Sequence, residues 1–362
     1  MSLSYLVYNC YSVGRCPRVP GRSARATHDT PTAKHLLSKL SRTIRTMHET
    51  HRVGVFGAGD MGHGLAAHFA VHGHDVTVLD HRQSNLDAAR DRIHDVVSFL
   101  NDEDVTDHPP DAVTSDIEYT LDTASGLSGA DVVIESVPED LDVKHQVFQQ
   151  IAEAAPGDAV LASNTSGLPI TDIAAGVADH AERVVGCHWW YPPYLLPTVE
   201  VVRGAETSDE TVERVESLLR SVDRDPVLVN KDVPGFVWNR IQMAIFRESL
   251  HIVEEGIASA ADVNKAIRDG YALRTAAIGP LETIDIAGLD LVQTVLDDLS
   301  PHLCNDDEAN PLLEAHLSAG RDGIHSGGGI FEYDDSPDEI TQARDERVMA
   351  IRRALEATRA DR

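Results

Sequence analysis

A histidine and a glutamate, His188 and Glu200, lie close together in the stretch GCHWWYPPYLLPTVEVV. A histidine that is oriented by a carboxylate can accept a proton near neutral pH. This spacing alone also fits a structural ion pair, so its interpretation depends on the motifs around it. A glycine-rich turn at 57–62 and the sequence SNTS at 163–166 precede the pair, and PGFVWNR at 234–240 follows it.

The glycine-rich turn has the spacing GxGxxG at Gly57, Gly59 and Gly62, between the β-branched run RVGVF and a helical pattern. In that context the first glycine permits a tight turn, the second admits a pyrophosphate, and the third allows close packing of helix and strand. The helix N-terminus then faces the phosphates. A dinucleotide exchanges hydride, which complements a proton acceptor, so the two motifs together predict alcohol oxidation or ketone reduction.

The residue that ends the second predicted strand indicates which dinucleotide is bound. Asp80 closes the run DVTVLD, where a carboxylate binds the ribose hydroxyls of NAD and repels the 2′-phosphate of NADP. Arg82 lies two residues further on and weakens this charge argument. We therefore expect NAD, with NADP left open.

The order of the elements predicts an α/β Rossmann-type NAD-binding domain followed by an all-α C-terminal domain. Strand and helix patterns alternate as far as DPVLVN, and only helical patterns follow Arg240. The predicted strands are RVGVFGA, DVTVLD, 130–139, 158–166, VVGCHWW, TVEVV and DPVLVN. The predicted parts are an extension at 1–50, the NAD-binding domain at 51–233, the helical domain at 234–333 and a charged helix or tail at 334–362.

Local signals predict several element ends. The acidic segment 101–118, which contains two consecutive prolines, predicts a solvated loop. The sequence T-x-x-E from Thr207 to Glu210 predicts a capping box that opens a helix. Gly256 and Gly270 each follow a helical pattern and predict its C-terminal end.

The charge of the chain excludes some classes of partner. The 362 residues include 59 acidic and 31 basic side chains, and the formal net charge is −28. Recognition of phosphate chains needs a basic face, so we expect no nucleic-acid partner. Acidic residues dispersed along the chain, with only five lysines, are typical of proteins from a salt-adapted cytoplasm, where ions screen charge repulsion. No apolar run approaches the ~20 residues that span a bilayer, so we expect a soluble, cytoplasmic protein without membrane contact.

The first 46 residues differ in composition from the rest, with eight basic side chains against one acidic. An Arg- and Ser-rich, acid-poor segment is compatible with a mitochondrial transit peptide. However, Met47 begins MHETHRVGVFGAG, a natural opening for a domain whose first strand is RVGVF. We therefore expect the segment before it to be disordered or to reflect a start codon assigned too far upstream.

No metal site is expected. The cysteines show no paired or metal-type spacing, so Cys187 is predicted to be a small buried residue that ends a strand. Four histidines lie on and just past the first helix, and in so acidic a protein we expect them to be exposed rather than metal ligands. They are His63, His68, His72 and His74.

Two adjacent tryptophans, Trp189 and Trp190, follow His188 directly. They could form a platform on which adenine stacks. A large aromatic pair at a strand end more commonly divides its roles. We expect one of them to pack in the core and the other to border the cleft.

Taken together, the motifs resemble the 3-hydroxyacyl-CoA dehydrogenase family over nearly all of 52–333. Each matching stretch is modest alone, but eight of them in the family's order are specific. They are VGVFGAGDMGHGLA, VVIESVPEDLDVK, ASNTSGLPI, GCHWWYPPYLLPTVEVV, PGFVWNR, EEGIASAADVNKAI, GPLETIDIAGLD and GIHSGGGIFEY.

The resemblance implies roles for four residues at a site between the two domains. His188 would be the catalytic base and Glu200 the partner that orients it. Ser166 would bond the 3-oxygen of the substrate, and Asn239 would help to hold the reacting carbonyl. The implied substrate is an acyl-CoA thioester, and the implied assembly is a homodimer formed by the helical domain.

The resemblance also implies which residues contact NAD. Glu139 and Lys144 match family positions near the nicotinamide half of the cofactor. Further contacts are expected from the glycine turn, the residue at the end of the second strand, and the SNTS motif. These residues are Gly57, Gly59, Met61, Gly62, Asp80 and Asn164.

One departure from the family pattern affects the substrate. The family usually has Asn-Pro after the two aromatic residues, whereas this chain has Tyr191-Pro192. Relatives with the same architecture oxidise carnitine or gulonate, so a free hydroxy acid or a carnitine-like substrate is an alternative. A non-catalytic NAD-binding protein is a second alternative, against which the intact set of catalytic residues argues.

Overall fold

The computed structural model describes residues 50–359. The extension predicted at 1–50 therefore lies almost entirely outside the described residues. None of the helices in the described part is long and apolar enough to cross a membrane.

An eight-stranded sheet forms the centre of the first part of the chain, in the order β3-β2-β1-β4-β5-β6-β7-β8. The neighbouring strands are parallel except for β6 and β7, which are antiparallel. The strands are β1 Arg52–Phe56, β2 Asp75–Leu79, β3 Glu118–Thr120, β4 Val132–Glu135, β5 Val160–Ser163, β6 Val184–Trp189, β7 Thr198–Val202 and β8 Asp225–Val229.

Helices cover both faces of this sheet, as a parallel sheet of buried Val, Ile and Leu requires. Along β1 the side chains of Val53 and Val55 belong to one apolar cluster, whereas that of Phe56 belongs to the other. The helices are α1 Gly62–Val71, α2 Gln83–Asp102, α3 Pro110–Asp116, α4 Thr123–Leu127, α5 Leu141–Ala154, α6 Ile170–Ala174 and α7 Asp209–Ser221, with a 3₁₀ segment at Ala175–Arg183.

In the described residues after β8 there are helices but no further strands. They are α8 Trp238–Glu254, α9 Ala260–Ala266, α10 Leu273–Ala277, α11 Pro280–Ala287, α12 Leu289–Leu299, α13 Pro311–Ser318 and α14 Pro337–Arg359. The prediction of an α/β Rossmann-type part followed by an all-α part is therefore confirmed.

The acidic segment 101–118 is only in part the solvated loop that its composition predicted, since 103–109 form a largely exposed loop but the rest is ordered differently. It contains α3, with Pro110 at the first helical position, where a missing N–H costs nothing. Val113 on this helix is buried in the core, and Glu118 begins β3, which pairs in parallel with β2. A few apolar contacts thus order a segment whose local sequence suggests solvent exposure.

The predicted capping box at Thr207 is wrong by one residue. The Thr207 hydroxyl donates to the Val184 carbonyl (2.6 Å) and accepts from the Gly204 N–H (2.9 Å), whereas the N-cap position belongs to the next residue. Ser208 caps α7 instead, because its hydroxyl accepts the N–H of Thr211 (3.1 Å).

One of the two glycine helix ends is also wrong. Gly256 follows α8 with a left-handed φ of 65°, as predicted. Gly270, in contrast, lies within a π-helical segment, Ile267–Ala272, that joins α9 to α10 without a break. A glycine inside a helix costs only about 1 kcal/mol, which the continuous backbone hydrogen bonding on both sides offsets.

Helix α14 packs against the α/β part of the chain rather than projecting from it. Met349 on this helix is buried within the apolar cluster that includes Trp189 and Leu195. Arg353 forms an ion pair with Glu103 just after α2 (2.7 Å). The charged C-terminal helix is therefore part of the folded core.

We predict that Met349→Ala lowers the free energy of unfolding by about 2–4 kcal/mol, because it leaves a cavity in this cluster. Ile351→Ala is the matched control, since Ile351 lies on the same helix and is exposed. Urea unfolding followed by circular dichroism measures both. Equal and small losses would show that α14 is not integral to the core.

Candidate active site

His188 and Glu200 lie directly opposite each other on the antiparallel strands β6 and β7. The Nδ1 atom of His188 donates to Oε2 of Glu200 at 2.7 Å. Glu200 is fully buried and His188 is 5% exposed. Because Nδ1 carries the proton that binds the carboxylate, Nε2 is the ring nitrogen that can accept another.

The second oxygen of Glu200 joins this pair to the helical part. Oε1 accepts the backbone N–H groups of Val237 and Trp238, each at 2.9 Å, where α8 begins. Burial alone would raise the pKa of the Glu200 carboxyl, but the hydrogen bonds from His188 and these two amides outweigh it and hold the pKa below its ordinary value. Glu200 therefore stays ionised beside the histidine.

Phe236 supports the His188 ring and was not singled out in the sequence. It is buried, and its ring centroid lies 5.8 Å from that of His188. Its φ of 48° is in the left-handed region, which a bulky residue rarely adopts. The only signal in the sequence was its place in PGF, where a glycine turn precedes an aromatic residue.

Ser166 and Asn239 are brought together from the two parts of the chain. The Asn239 Nδ2 group donates to the Ser166 carbonyl at 2.6 Å. Glu139 holds the same segment, because its Oε1 accepts the N–H of Ser166 (2.9 Å) and of Gly167 (3.1 Å). Ser166 and Asn239 are both at least partly exposed, so a ligand can reach them.

Lys144 lies behind Glu139 rather than at the surface of the site. Its side chain is 1% exposed, and Nζ contacts Glu135 Oε1 at 2.7 Å and Glu139 Oε2 at 3.3 Å. Burial would raise the pKa of Glu139, but hydrogen bonds from Thr165 and the charge of Lys144 lower it below its ordinary value. Lys144 thus positions an ionised Glu139. Glu135, its buried partner, was not predicted.

The glycine turn has the geometry that a dinucleotide requires. A Cβ on Gly57, whose φ is 111°, would lie 2.5 Å from the Ser136 carbonyl oxygen, and a Cβ on Gly62 would lie 1.8 Å from that of Gly57. Gly59, in contrast, faces open space, where a pyrophosphate can approach. Met61 is the N-cap residue of α1 and packs partly against the core.

Asp80 is held at the end of β2 in a position that fits a ribose. Its Oδ2 accepts the N–H of Ala58 in the glycine turn (3.0 Å), and its Oδ1 accepts from Arg82 N (3.0 Å) and Asn85 Nδ2 (2.9 Å). Oδ2 keeps a lone pair for a ribose hydroxyl. The residues present therefore fit NAD.

Asn164 and the tryptophans connect the strand ends. Asn164 Oδ1 accepts the N–H of Trp189 (2.8 Å). Trp189 is buried in the core, whereas Trp190 is partly exposed and stacks on Trp238 with ring centroids 3.9 Å apart. The expectation that one of the two packs in the core is confirmed for Trp189, and that the other borders the cleft stays a prediction for Trp190. Cys187 is buried in β6, as predicted.

The expectation that the four histidines of the first helix are exposed is wrong. His63, His68 and His74 are buried, and His72 nearly so. His68 donates from Nε2 to the Val222 carbonyl (2.9 Å), and burial lowers its pKa well below the ordinary value. Helix α1 is enclosed on several sides, so even its polar positions face protein.

One group of residues in the described part, far apart in sequence, has the ligand types of a metal site. His251, Cys304 and Asp306 place their ligand atoms within 4.8 Å of one another. His251 lies on α8 and the other two follow α12, so no short spacing signals the group. It contains none of the residues that the dinucleotide turn or the His188–Glu200 pair brings together.

Comparison with known proteins places this geometry in context. The model of the 3-hydroxyacyl-CoA dehydrogenase NAD binding domain matches residues 52–233, and that of the C-terminal domain matches residues 235–333. A crystal structure of a 5-formyl-3-hydroxy-2-methylpyridine 4-carboxylic acid 5-dehydrogenase, an NAD⁺-dependent dismutase, superposes with a TM-score of 0.78 at 35% identity. The superposition covers 85% of this chain and 99% of the other.

Three relatives are similar over most of their length. A 5-formyl-3-hydroxy-2-methylpyridine 4-carboxylate 5-dehydrogenase of Mesorhizobium japonicum is 36% identical over 84% of this chain and 98% of its own. A probable 3-hydroxybutyryl-CoA dehydrogenase of Deinococcus radiodurans is 34% identical over 78% and 100%. An L-carnitine dehydrogenase of Nocardiopsis dassonvillei is 33% identical over 88% and 95%.

We predict that Gly62→Ala weakens NADH binding by more than about tenfold, since the added methyl group collides with the turn that faces the pyrophosphate. Gly157→Ala is the control, because a Cβ at Gly157 meets no atom within 4 Å. Titration of NADH fluorescence gives both dissociation constants. Equal affinities would exclude this turn as the binding site.

Proposed function

The chain belongs to the 3-hydroxyacyl-CoA dehydrogenase family and is an NAD-dependent oxidoreductase, and from this premise we propose that it interconverts (S)-3-hydroxyacyl-CoA and 3-oxoacyl-CoA. The observation that carries the proposal is the buried hydrogen bond between His188 Nδ1 and Glu200 Oε2 (2.7 Å). Such a pair can take up and return one proton, which is what the interconversion of an alcohol and a ketone requires.

The proton is moved by His188 in this proposal. When bound, NAD supplies the hydride acceptor for the carbon that bears the hydroxyl. Nε2 of His188 removes the hydroxyl proton as that hydride leaves, and the ionised Glu200 stabilises the imidazolium that results. In the reverse direction the protonated His188 returns the proton to the oxygen.

Ser166 and Asn239 position the reacting oxygen in this scheme. Ser166 offers its hydroxyl, and its backbone is fixed by Glu139 and by Asn239. Asn239 also lines a neighbouring cavity of about 780 Å³, whose walls include Arg240 and Leu313 but neither His188 nor Ser166. A cavity of this size is in the range of small-molecule sites, ~300–1,000 Å³.

The choice between NAD and NADP rests on Asp80. Its carboxylate lies against the glycine turn, where a 2′-phosphate would meet like charge. Arg82 is exposed and donates only its backbone N–H to Asp80. We propose that this arrangement favours NAD.

A free hydroxy acid is the second candidate substrate. Two relatives that are not named for CoA esters cover 84% and 88% of this chain, against 78% for the one named for 3-hydroxybutyryl-CoA. Tyr191 is half exposed and lies three residues after His188, at a position where the family usually has asparagine. Both observations favour a substrate other than an acyl-CoA.

We further propose that two copies of the chain associate through the helical part. None of the side chains of α8 is buried, although the helix is amphipathic. Large apolar side chains are exposed on several helices of the helical part, and their number exceeds what a soluble monomer commonly presents. They include Ile241, Met243, Phe246, Leu289, Leu296 and Leu299.

The test is NADH oxidation with acetoacetyl-CoA in molar KCl, with the mass of the active species measured by light scattering. High salt screens the repulsion of a chain with net charge −28. We expect turnover and the mass of a dimer. Turnover only on carnitine or a hydroxymethylpyridine carboxylate would support the second candidate. NADH binding without any turnover would instead indicate a non-catalytic protein.

His188→Gln is expected to lower kcat roughly 10²- to 10⁴-fold while leaving NADH affinity unchanged, because the ring moves a proton and does not hold the dinucleotide. His108→Gln is the matched control, since His108 is exposed and precedes α3 in a surface segment. If both variants retain full activity, His188 is not the base.

A further inference from the structure

The segment that joins the two strands of the His188–Glu200 pair is enclosed on two sides. We call residues 190–197 the dyad loop. A Cβ on Gly64 of α1 would lie 2.7 Å from Pro193 and 3.3 Å from Tyr194, so the helix that begins at the glycine turn lies directly against this loop. Its other side faces α14.

Helix α14 grips the dyad loop along one face. Tyr194 donates its hydroxyl to Asp345 Oδ2 at 2.9 Å, and Arg352 Nη1 donates to the Leu195 carbonyl at 3.1 Å. The Arg344 guanidinium lies 4.9 Å from the ring centroid of Tyr191. Asp345 and Arg352 are about two turns apart on the same side of the helix, and Arg344 lies directly before Asp345.

A buried arginine holds the loop from within the α/β part. Arg224 is 3% exposed, and its Nη2 donates to the Pro193 carbonyl (3.0 Å) and to His68 Nδ1 (3.0 Å). Its guanidinium also lies over the Trp189 ring, with 5.7 Å to the centroid. Three consecutive residues of the loop are thus fixed, two of them by α14.

We infer that α14 is a positioning element of the active site, which fixes the dyad loop and so sets the place of Tyr191, three residues after His188. The inference rests on the proposed function for its catalytic consequence, but the contacts stand without it. Helix α14 lies outside both matched family segments, 52–233 and 235–333. It therefore lies beyond the two domains that the family models describe.

A purely structural role for α14 predicts a different result. Loss of its contacts with the loop would then lower the stability of the protein and affect all substrates alike. A positioning helix changes the KM of the substrate and the preference among substrates, because the dyad loop with Tyr191 shifts while the turn that binds NAD does not.

Two variants remove single contacts between α14 and the loop, namely Tyr194→Phe and Arg352→Gln. The matched control is Arg353→Gln, which removes a contact of the same helix to Glu103, away from the loop. With the substrate that the enzyme turns over, we expect KM to rise on the order of tenfold in the first two variants and not in the control. NADH affinity should stay equal in all three.

Hydrogen exchange of the backbone amides in 190–197, read by mass spectrometry, tests the positioning without turnover. The N–H of Leu195 is bonded to the Pro192 carbonyl and reports on the loop directly. We expect faster exchange in Tyr194→Phe and Arg352→Gln than in Arg353→Gln. Equal exchange in all three overturns the inference even if the enzyme is active. Faster exchange without activity on any substrate leaves the positioning intact and refutes only the proposed function.

Discussion

The site depends on the hydrogen bonds that the buried Glu200 carboxylate accepts. A fully buried carboxylate must be paired with several donors, because its desolvation is otherwise prohibitive. Glu200 meets this demand with the His188 ring on the neighbouring strand and with two backbone amides at the start of α8. The same group therefore orients the proton acceptor and fixes the first helix of the helical part against it.

This arrangement determines where the remaining groups lie. Because the start of α8 is bonded to Glu200, Asn239 in the first turn of this helix reaches the Ser166 carbonyl. Ser166 follows β5, and its backbone N–H is bonded to Glu139. Phe236 closes the space between the joint and the imidazole in a left-handed backbone conformation. The left-handed backbone of Phe236 accompanies a close contact with the His188 ring. One buried charge thus brings the α/β and helical parts together around the His188–Glu200 pair.

Much of this could be predicted from the sequence, because the relevant signals are local. The strand-turn-helix with GxGxxG, the carboxylate after the second strand and the change to helices after Arg240 each lie within a short window. The failures have a common cause. The Thr207 hydroxyl bonds to the Val184 carbonyl, Val113 of α3 packs into the apolar cluster that includes Leu65, and His68 bonds to Val222 and Arg224. In each case a distant residue overrode the local preference.

The α/β order of elements, the dinucleotide turn and the pairing of His188 with Glu200 could be predicted from the sequence, because these depend on residue types at fixed spacing. Only the folded structure shows that Glu200 also holds the start of α8, that Glu139 holds the backbone of Ser166, and that α14 lies on the dyad loop. These contacts join residues that are tens to more than a hundred positions apart. No local pattern encodes such pairs, since they form only when the packed sheet brings the elements together.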